Sequence, residues 1–148
     1  MPLPELTDSG ELPLGVHQVS LRKTLERFGV GHPQRIVVGD RLQRVHQLAA
    51  ATGHLARFVV FGSFVTDKSH PNDVDVLLVM DDVFDADALE GETALLFDHA
   101  AADSHFGATV FWVRRLAAFG GEQAMVEYWQ VKRGGGRRGI IEIVEGVK

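Results

Sequence analysis

The sequence contains no cysteine among its 148 residues, so disulfides, thiolate metal sites and cysteine nucleophiles are all excluded. Any bound metal would be held by oxygen or imidazole ligands, which favours a hard cation. The chain has no apolar run as long as the roughly 18 residues of a membrane span. Its N-terminus also lacks the basic start and the apolar stretch of a signal peptide. These absences predict a cytoplasmic protein without a membrane segment.

The chain has no strong excess of charge of one sign either. Its net charge is −5, which disfavours bulk binding to nucleic acid. The charge is unevenly spread, because positions 67–103 hold eleven acidic residues against a single base, Lys68. The sign reverses around the glycine triplet at 134–136, which is flanked by Lys132, Arg133, Arg137 and Arg138. This basic loop fits either a phosphate contact or a solvated turn, and its pairing with the acidic segment of a second chain would allow an oligomer.

What the chain does contain fits one domain over residues 1–148, with 45% hydrophobic residues to build a core. Residues 1–16 include Pro2, Pro4 and Pro13 and predict an extended N-terminal arm. Apolar periodicity predicts helices over 21–28, 34–52, 85–102 and 122–130, and strands over 57–61, 73–80, 108–113 and 140–144. This order of elements predicts an α/β (α+β) fold, in which a mixed sheet of four to five strands is flanked by helices.

Two polar pairs stand at the ends of apolar strands. Gly62 and Ser63 follow the first predicted strand, where glycine allows a sharp turn and serine offers an N–H and a hydroxyl that suit a phosphate. Asp73 and Asp75 begin the second, and residues two apart on a strand project from one face. Mg²⁺ takes oxygen ligands and is usually held by one or two carboxylates together with substrate phosphates. The two pairs therefore predict a Mg²⁺ site beside a phosphate-binding turn, although each pair alone is also common in ordinary turns and on solvated strands.

Gly62-Ser63 and Asp73-Val74-Asp75-Val76, set between apolar strands, resemble the signature of the DNA polymerase β-type nucleotidyltransferase superfamily. More narrowly, the chain from about residue 11 onwards is similar to a group of short, largely uncharacterised bacterial members. That similarity is carried by residues 12–17, 27–28, 62–68, 71–75 and 132–143. The resemblance implies a nucleotidyltransferase-like fold and Mg²⁺-dependent transfer of a nucleoside monophosphate from a nucleoside triphosphate to a hydroxyl on a protein, an RNA or a small molecule.

Six residues are predicted to form the site, four of them by the resemblance, and Thr66 and Lys68 because they lie between the phosphate-binding turn and the aspartates. The triphosphate-binding residues would be Gly62, Ser63, Thr66 and Lys68, and the catalytic metal ligands would be Asp73 and Asp75, for two Mg²⁺ ions. Two metal ions can stabilise both the attacking and the leaving oxygen of an in-line displacement at phosphorus. Thr66 would act as a hydroxyl donor, and Lys68 as a point charge.

One departure from the superfamily pattern concerns a third carboxylate, which the next strand usually supplies. The facing position is Thr109, or Ala108 if the register slips by one residue, and neither is acidic. Glu142 and Asp103 are candidate substitutes. Without a third carboxylate the acceptor hydroxyl lacks its expected general base. The alternative function is therefore a non-catalytic nucleotide-binding or regulatory module.

The resemblance also implies a partner. Larger relatives usually add a helical domain that grips the acceptor, and this chain has no room for one, so a partner protein is expected to supply that surface. Short stand-alone members of the superfamily often act as the antitoxin half of a two-gene pair, which makes a toxin-like protein the implied acceptor.

Aromatic residues in the second half of the chain are expected in the core or against a partner. This applies to Phe111, Tyr128 and Trp129. Trp112 is the candidate for base stacking, because the strand that carries it lies next to the predicted site.

Overall fold

The computed structural model describes residues 3–118, 120–132 and 134–145, in which a five-stranded sheet is flanked by helices. The predicted α/β (α+β) class, with a mixed sheet of four to five strands, is confirmed. In chain order the elements are β1 (Val16–Val19), α1 (Leu21–Phe28), α2 (Pro33–Ala51), β2 (Leu55–Phe61), β3 (Val74–Met80), α3 (Gly91–Leu96), α4 (His99–Phe106), β4 (Ala108–Arg114), α5 (Glu122–Tyr128) and β5 (Ile140–Ile143). Single 3-10 turns lie at Ser63–Val65, Ala86–Ala88 and Arg115–Ala117.

The sheet has the order β1-β5-β2-β3-β4 and mixes strand directions. β1 is parallel to β5 and β3 is parallel to β4, whereas β2 is antiparallel to both of its neighbours. The end of β2 and the starts of β3 and β4 therefore meet at one end of the sheet. This topology brings the turn after β2 beside the acidic start of β3.

Apolar side chains bury both faces of the sheet. On one face, Val38, Leu42 and Val45 of α2 pack against the strands. On the other face, Val126 of α5 packs against a cluster that includes Leu77 of β3. Each of these fully buried side chains is stabilised by roughly 1.5–3 kcal/mol relative to exposure in water. Among the residues described, no helix is both long and apolar enough to cross a membrane.

The N-terminal arm packs against the domain and contains a turn, in which the N–H of Gly10 donates to the carbonyl of Thr7. Leu12 is buried in the core, and Glu11 forms an isolated β-bridge with Thr66. The arm ends in β1, a strand that the sequence did not predict because its four residues are too short to show a period. The first two residues of the predicted arm, Met1 and Pro2, lie outside the described residues.

The single helix predicted over 85–102 is wrong, because the chain forms a 3-10 turn, α3 and α4 there. The Asp98 side chain accepts a hydrogen bond from the N–H of Ala101 and so starts a new helix. The preceding residue, Phe97, packs against Phe84 with ring centroids 4.7 Å apart. The Asp98 cap and this aromatic contact therefore favour two short helices over the single long helix that the apolar period predicts. Other element boundaries differ from prediction by one or two residues, so that Asp73 immediately precedes β3.

Candidate active site

A cleft of about 640 Å³ opens where β2 ends and β3 and β4 begin. Five of the six predicted site residues line it, namely Gly62, Ser63, Lys68, Asp73 and Asp75. The cleft also receives residues from the C-terminal part of the chain, which the sequence analysis did not place. It therefore joins two loops, the ends of three strands and helix α5 in one concave surface.

Gly62 makes the turn between β2 and the cleft possible. Its φ of 84° and ψ of −166° lie in a region that only glycine adopts without strain. A Cβ at this position would lie 2.9 Å from Cγ of Asp75 and would overlap its carboxylate. The absence of a side chain at position 62 therefore lets the backbone approach the second acid of the cleft.

The two predicted acids lie on one side of the sheet. Asp73 and Asp75 both line the cleft, whereas Val74 between them is fully buried. In the parallel register of β3 and β4, Asp75 pairs with Thr109. The Thr109 hydroxyl donates a hydrogen bond to Oδ2 of Asp73 at 2.7 Å. The residue at the expected position of the third carboxylate thus restrains the first acid.

Arg35 of α2 stabilises the loop after Ser63 by hydrogen bonds to its backbone carbonyls. The buried Arg35 guanidinium donates to the backbone carbonyls of Phe28 at 3.2 Å, Phe64 at 2.8 Å, and Thr66 and Lys68 at 2.6 Å each. Sequence reasoning missed this residue. The sequence feature that could have identified Arg35 is its position on the apolar stripe of α2, where a charged side chain is not expected to be solvent-exposed.

Thr66, the sixth predicted site residue, is placed differently from the prediction. It is not among the described residues that line the cleft, and it is buried. Its hydroxyl donates to the carbonyl of Ser63 at 2.6 Å and accepts from the N–H of Lys68 at 3.2 Å. Thr66 therefore shapes the turn from a buried position outside the cleft lining.

The basic loop near the C-terminus reaches the same cleft. Lys132 and Arg138 line it, and both contact the Glu11 carboxylate, at 3.1 Å and 3.4 Å. Burial raises the pKa of the Glu11 carboxyl, but hydrogen bonding and charge from Lys132, with charge from Arg138, outweigh burial and hold the pKa below its ordinary value. Arg137 is exposed, and Arg133 lies outside the described residues. Two cations of this loop therefore lie at the cleft, and Arg137 faces solvent.

A protein-family model described as a family of unknown function, DUF6932, matches residues 4–144. The chain belongs to this family. Searches among curated proteins and among solved structures gave no match.

In this DUF6932 chain neither candidate substitute for the third carboxylate lies in the cleft. Glu142 is bound by the Arg57 guanidinium at 2.7 and 2.9 Å, and Asp103 is exposed on α4. Ala108 is fully buried, so Thr109 is the residue of β4 that faces the acids. The described residues contain no group of three or more His, Cys, Asp or Glu side chains that could hold a metal.

The aromatic side chains that line the cleft of this DUF6932 chain do not include Trp112, the residue predicted from the sequence to stack on a base. Trp112 packs on the opposite face of the sheet, against Phe84 and Phe97 at 5.5 Å. Phe111 and Trp129 line the cleft instead. Adjacent residues on a strand point to opposite faces, so a site that uses Phe111 cannot also use its neighbour.

Proposed function

We propose that this cleft binds a nucleoside triphosphate with Mg²⁺ and transfers its nucleoside monophosphate to a hydroxyl acceptor. The observation that carries the proposal is the meeting of the Gly62 turn, two carboxylates and three cations in one cleft. The cations are Lys68, Lys132 and Arg138. A triphosphate needs positive charge along its length, and a hard metal needs oxygen ligands beside it.

The residues of the cleft fit Mg²⁺. Asp73 and Asp75 would hold the ion, since both offer carboxylate oxygens at the same end of the sheet. Because Gly62 has no side chain, the Asp75 carboxylate can occupy the space that a Cβ at position 62 would fill. When bound, Mg²⁺ supplies positive charge to the oxygens that attack and leave the phosphorus.

The protein's own groups would bind and orient the substrate. Ser63 presents its backbone and hydroxyl at the start of the turn, and Arg35 fixes that turn by its bonds to the loop carbonyls. Lys68, Lys132 and Arg138 would contact the phosphate oxygens. Thr109 holds the Asp73 carboxylate in one orientation through its hydroxyl. Fixing these groups before the substrate arrives reduces the entropy lost in reaching the reactive geometry.

In the proposed reaction the acceptor oxygen forms a bond to the α-phosphorus. The bond from that phosphorus to the oxygen bridging the β-phosphate breaks, and pyrophosphate leaves with the bonding electrons. The acceptor hydroxyl releases its proton to water, because the cleft offers no third carboxylate from β4 to take it. Slow turnover is therefore expected.

The test is a calorimetric titration of the protein with ATP, GTP, CTP and UTP, each with Mg²⁺ or with a chelator. We expect Mg²⁺-dependent binding that is lost in the double variant Asp73→Asn/Asp75→Asn. The matched control is Asp40→Asn/Asp103→Asn, which makes the same charge change at two exposed carboxylates outside the cleft. Equal binding by both double variants, or none by the wild type, would overturn the proposal. Transfer is then tested with an α-labelled nucleotide and candidate protein acceptors, including toxin-like partners.

A second candidate function is a nucleotide-binding regulatory module without catalysis. The observation that favours it is the Thr109 hydroxyl, which occupies the third-carboxylate position and is bound to Asp73. This candidate predicts nucleotide binding without transfer of label to any acceptor. Under this reading, Thr109→Asp would tighten Mg²⁺ binding by restoring an acid, and Thr109→Ser, which keeps a hydroxyl, would leave binding near that of the wild type.

A further inference from the structure

The face of the sheet that carries the acids continues into a group of aromatic rings. Phe61 pairs with Asp75 across β2 and β3, and Asp75 pairs with Thr109 across β3 and β4. Phe111 lies two residues beyond Thr109 on β4, which places its side chain on the same face about 6–7 Å farther along the strand. The polar end of the cleft and this aromatic group are therefore successive rows of one surface.

The aromatic rings stack on each other at the cleft. Trp129, which immediately follows α5, lies 4.7 Å from the Phe61 ring and 4.8 Å from the Phe111 ring, with interplanar angles of 35° in both pairs. Tyr128 lies edge-on to Trp129 at 5.7 Å and is exposed. All four rings line the cleft. They form what we call the aromatic wall: Phe61, Phe111, Tyr128 and Trp129.

Core packing alone does not account for the aromatic wall. Val59 and Leu77, which share a row of the sheet with Phe111, are fully buried, whereas Phe61 and Phe111 keep part of their surface exposed. The Trp129 indole nitrogen is buried without a hydrogen-bond partner in the described parts of the chain. Packing against the neighbouring rings therefore fixes this indole, and each ring of the aromatic wall keeps part of its surface exposed in the lining of the cleft.

We infer that the aromatic wall binds the nucleobase of the nucleotide, with a preference for purines. This inference rests on the proposed function, because it assigns the base to the part of the cleft that the triphosphate does not occupy. Every base has a π-face, and stacking on an aromatic side chain increases affinity by about tenfold to a hundredfold. A purine covers more of such a surface than a pyrimidine. ATP and GTP are therefore expected to bind more tightly than CTP and UTP.

The deciding experiment compares ATP and CTP with inorganic tripolyphosphate, which has the phosphates but no base, all with Mg²⁺. We expect the wild type to bind ATP at least about tenfold more tightly than tripolyphosphate. Phe111→Leu keeps an apolar side chain but removes the ring, and should bring ATP affinity towards that of tripolyphosphate without changing the latter. The matched control is Trp112→Phe, the adjacent position on the opposite face, which should leave both affinities unchanged.

Fluorescence gives a second readout that does not depend on a ring-deletion variant folding. Trp112 and Trp129 are the two tryptophans, so Trp112→Phe leaves only the indole of the aromatic wall. ATP should quench its emission and tripolyphosphate should not. Quenching by ATP that persists in Trp129→Phe would place the base elsewhere and overturn the inference.

The possible failures can be told apart. If tripolyphosphate binds as tightly as ATP and Phe111→Leu has no effect, the base-binding inference is wrong while the proposed function stands. If neither ATP nor tripolyphosphate binds, the proposed function fails and the inference fails with it.

Discussion

The contact between Gly62 and Asp75 gives the sharpest single test of the cleft geometry. In Gly62→Ala the new Cβ would lie 2.9 Å from Cγ of Asp75, whereas carbon atoms in ordinary contact are about 3.5–4.0 Å apart. The Asp75 side chain must therefore move by about 1 Å. The backbone strain of a non-glycine residue in this conformation adds about 1–3 kcal/mol to the cost. A displacement of about 1 Å in a site can lower its performance by about a hundredfold.

Gly53→Ala is the matched control for this substitution. Gly53 also has a positive φ, 76°, but a Cβ there meets nothing within 4 Å. Urea denaturation should show Gly62→Ala to be less stable than Gly53→Ala by about 1 kcal/mol or more, because only the first substitution adds a steric overlap. Calorimetry with Mg²⁺ and ATP should show at least a tenfold loss of affinity in Gly62→Ala alone. Equal stability and equal binding in the two variants would refute the claim that the close approach at Gly62 shapes the acidic site.

Three further predictions concern charged side chains that stabilise the fold. Arg35→Met should lower the free energy of unfolding by about 3 kcal/mol, because four backbone carbonyls lose a charged donor. The control is Arg22→Met, at an exposed ion pair, which should change the free energy of unfolding by less than about 0.5 kcal/mol. Equal effects of the two substitutions in urea denaturation would contradict the role of Arg35. Glu11 has a lowered pKa in the folded protein, so its stabilising contribution is present above the ordinary Glu value of about 4.3 and is lost as the pH falls through the lowered pKa. Denaturation at pH 7 and pH 3 should therefore show a stability deficit of Glu11→Gln that shrinks at the lower pH, and a constant deficit would contradict the pairing. Arg57→Ala should lower the free energy of unfolding by about 3 kcal/mol, because it leaves the Glu142 carboxylate buried without its ion partner. The double variant Arg57→Ala/Glu142→Ala should be more stable in thermal unfolding than Arg57→Ala, because it removes that buried charge.

The acidic half of the cleft was predictable from sequence because it is local. The Gly62 turn, Asp73 and Asp75 all lie at or beside the facing ends of two consecutive strands, so their spacing and alternation in the sequence bring them together. The same alternation predicts which side chain of β4 faces the site. Once Thr109 is assigned to the site face, the residue two positions on is Phe111, and Trp112 must point to the other face. The prediction that Trp112 stacks on a base was based on the position of β4 alone and did not consider this alternation of side chains.

The rest of the cleft depends on topology that no local pattern carries. Lys132, Arg138 and Trp129 lie far from the acids in sequence, and they reach the cleft because β5 inserts between β1 and β2. Arg35 was hidden for a different reason: arginine in an amphipathic helix is usually solvent-exposed, and its burial follows from a loop whose carbonyls need donors. The broken helix after β3 was missed for a third reason, because two local signals compete there: the Asp98 cap, and an apolar period that by itself favours one helix.

Charge balance links the N-terminal arm to both proposals. Lys132 and Arg138 are both paired with the Glu11 carboxylate, which offsets one of their two positive charges and is held in place by the bridge between Glu11 and Thr66. A triphosphate entering the cleft must therefore exchange with that carboxylate for these two cations, so it gains less than it would from unpaired charges. Lys68, which is exposed, and the metal held by the acids would supply the remaining attraction for the phosphates. Phosphate contacts of this kind would be common to all nucleotides, so under the two proposals discrimination among nucleotides would depend on the aromatic wall.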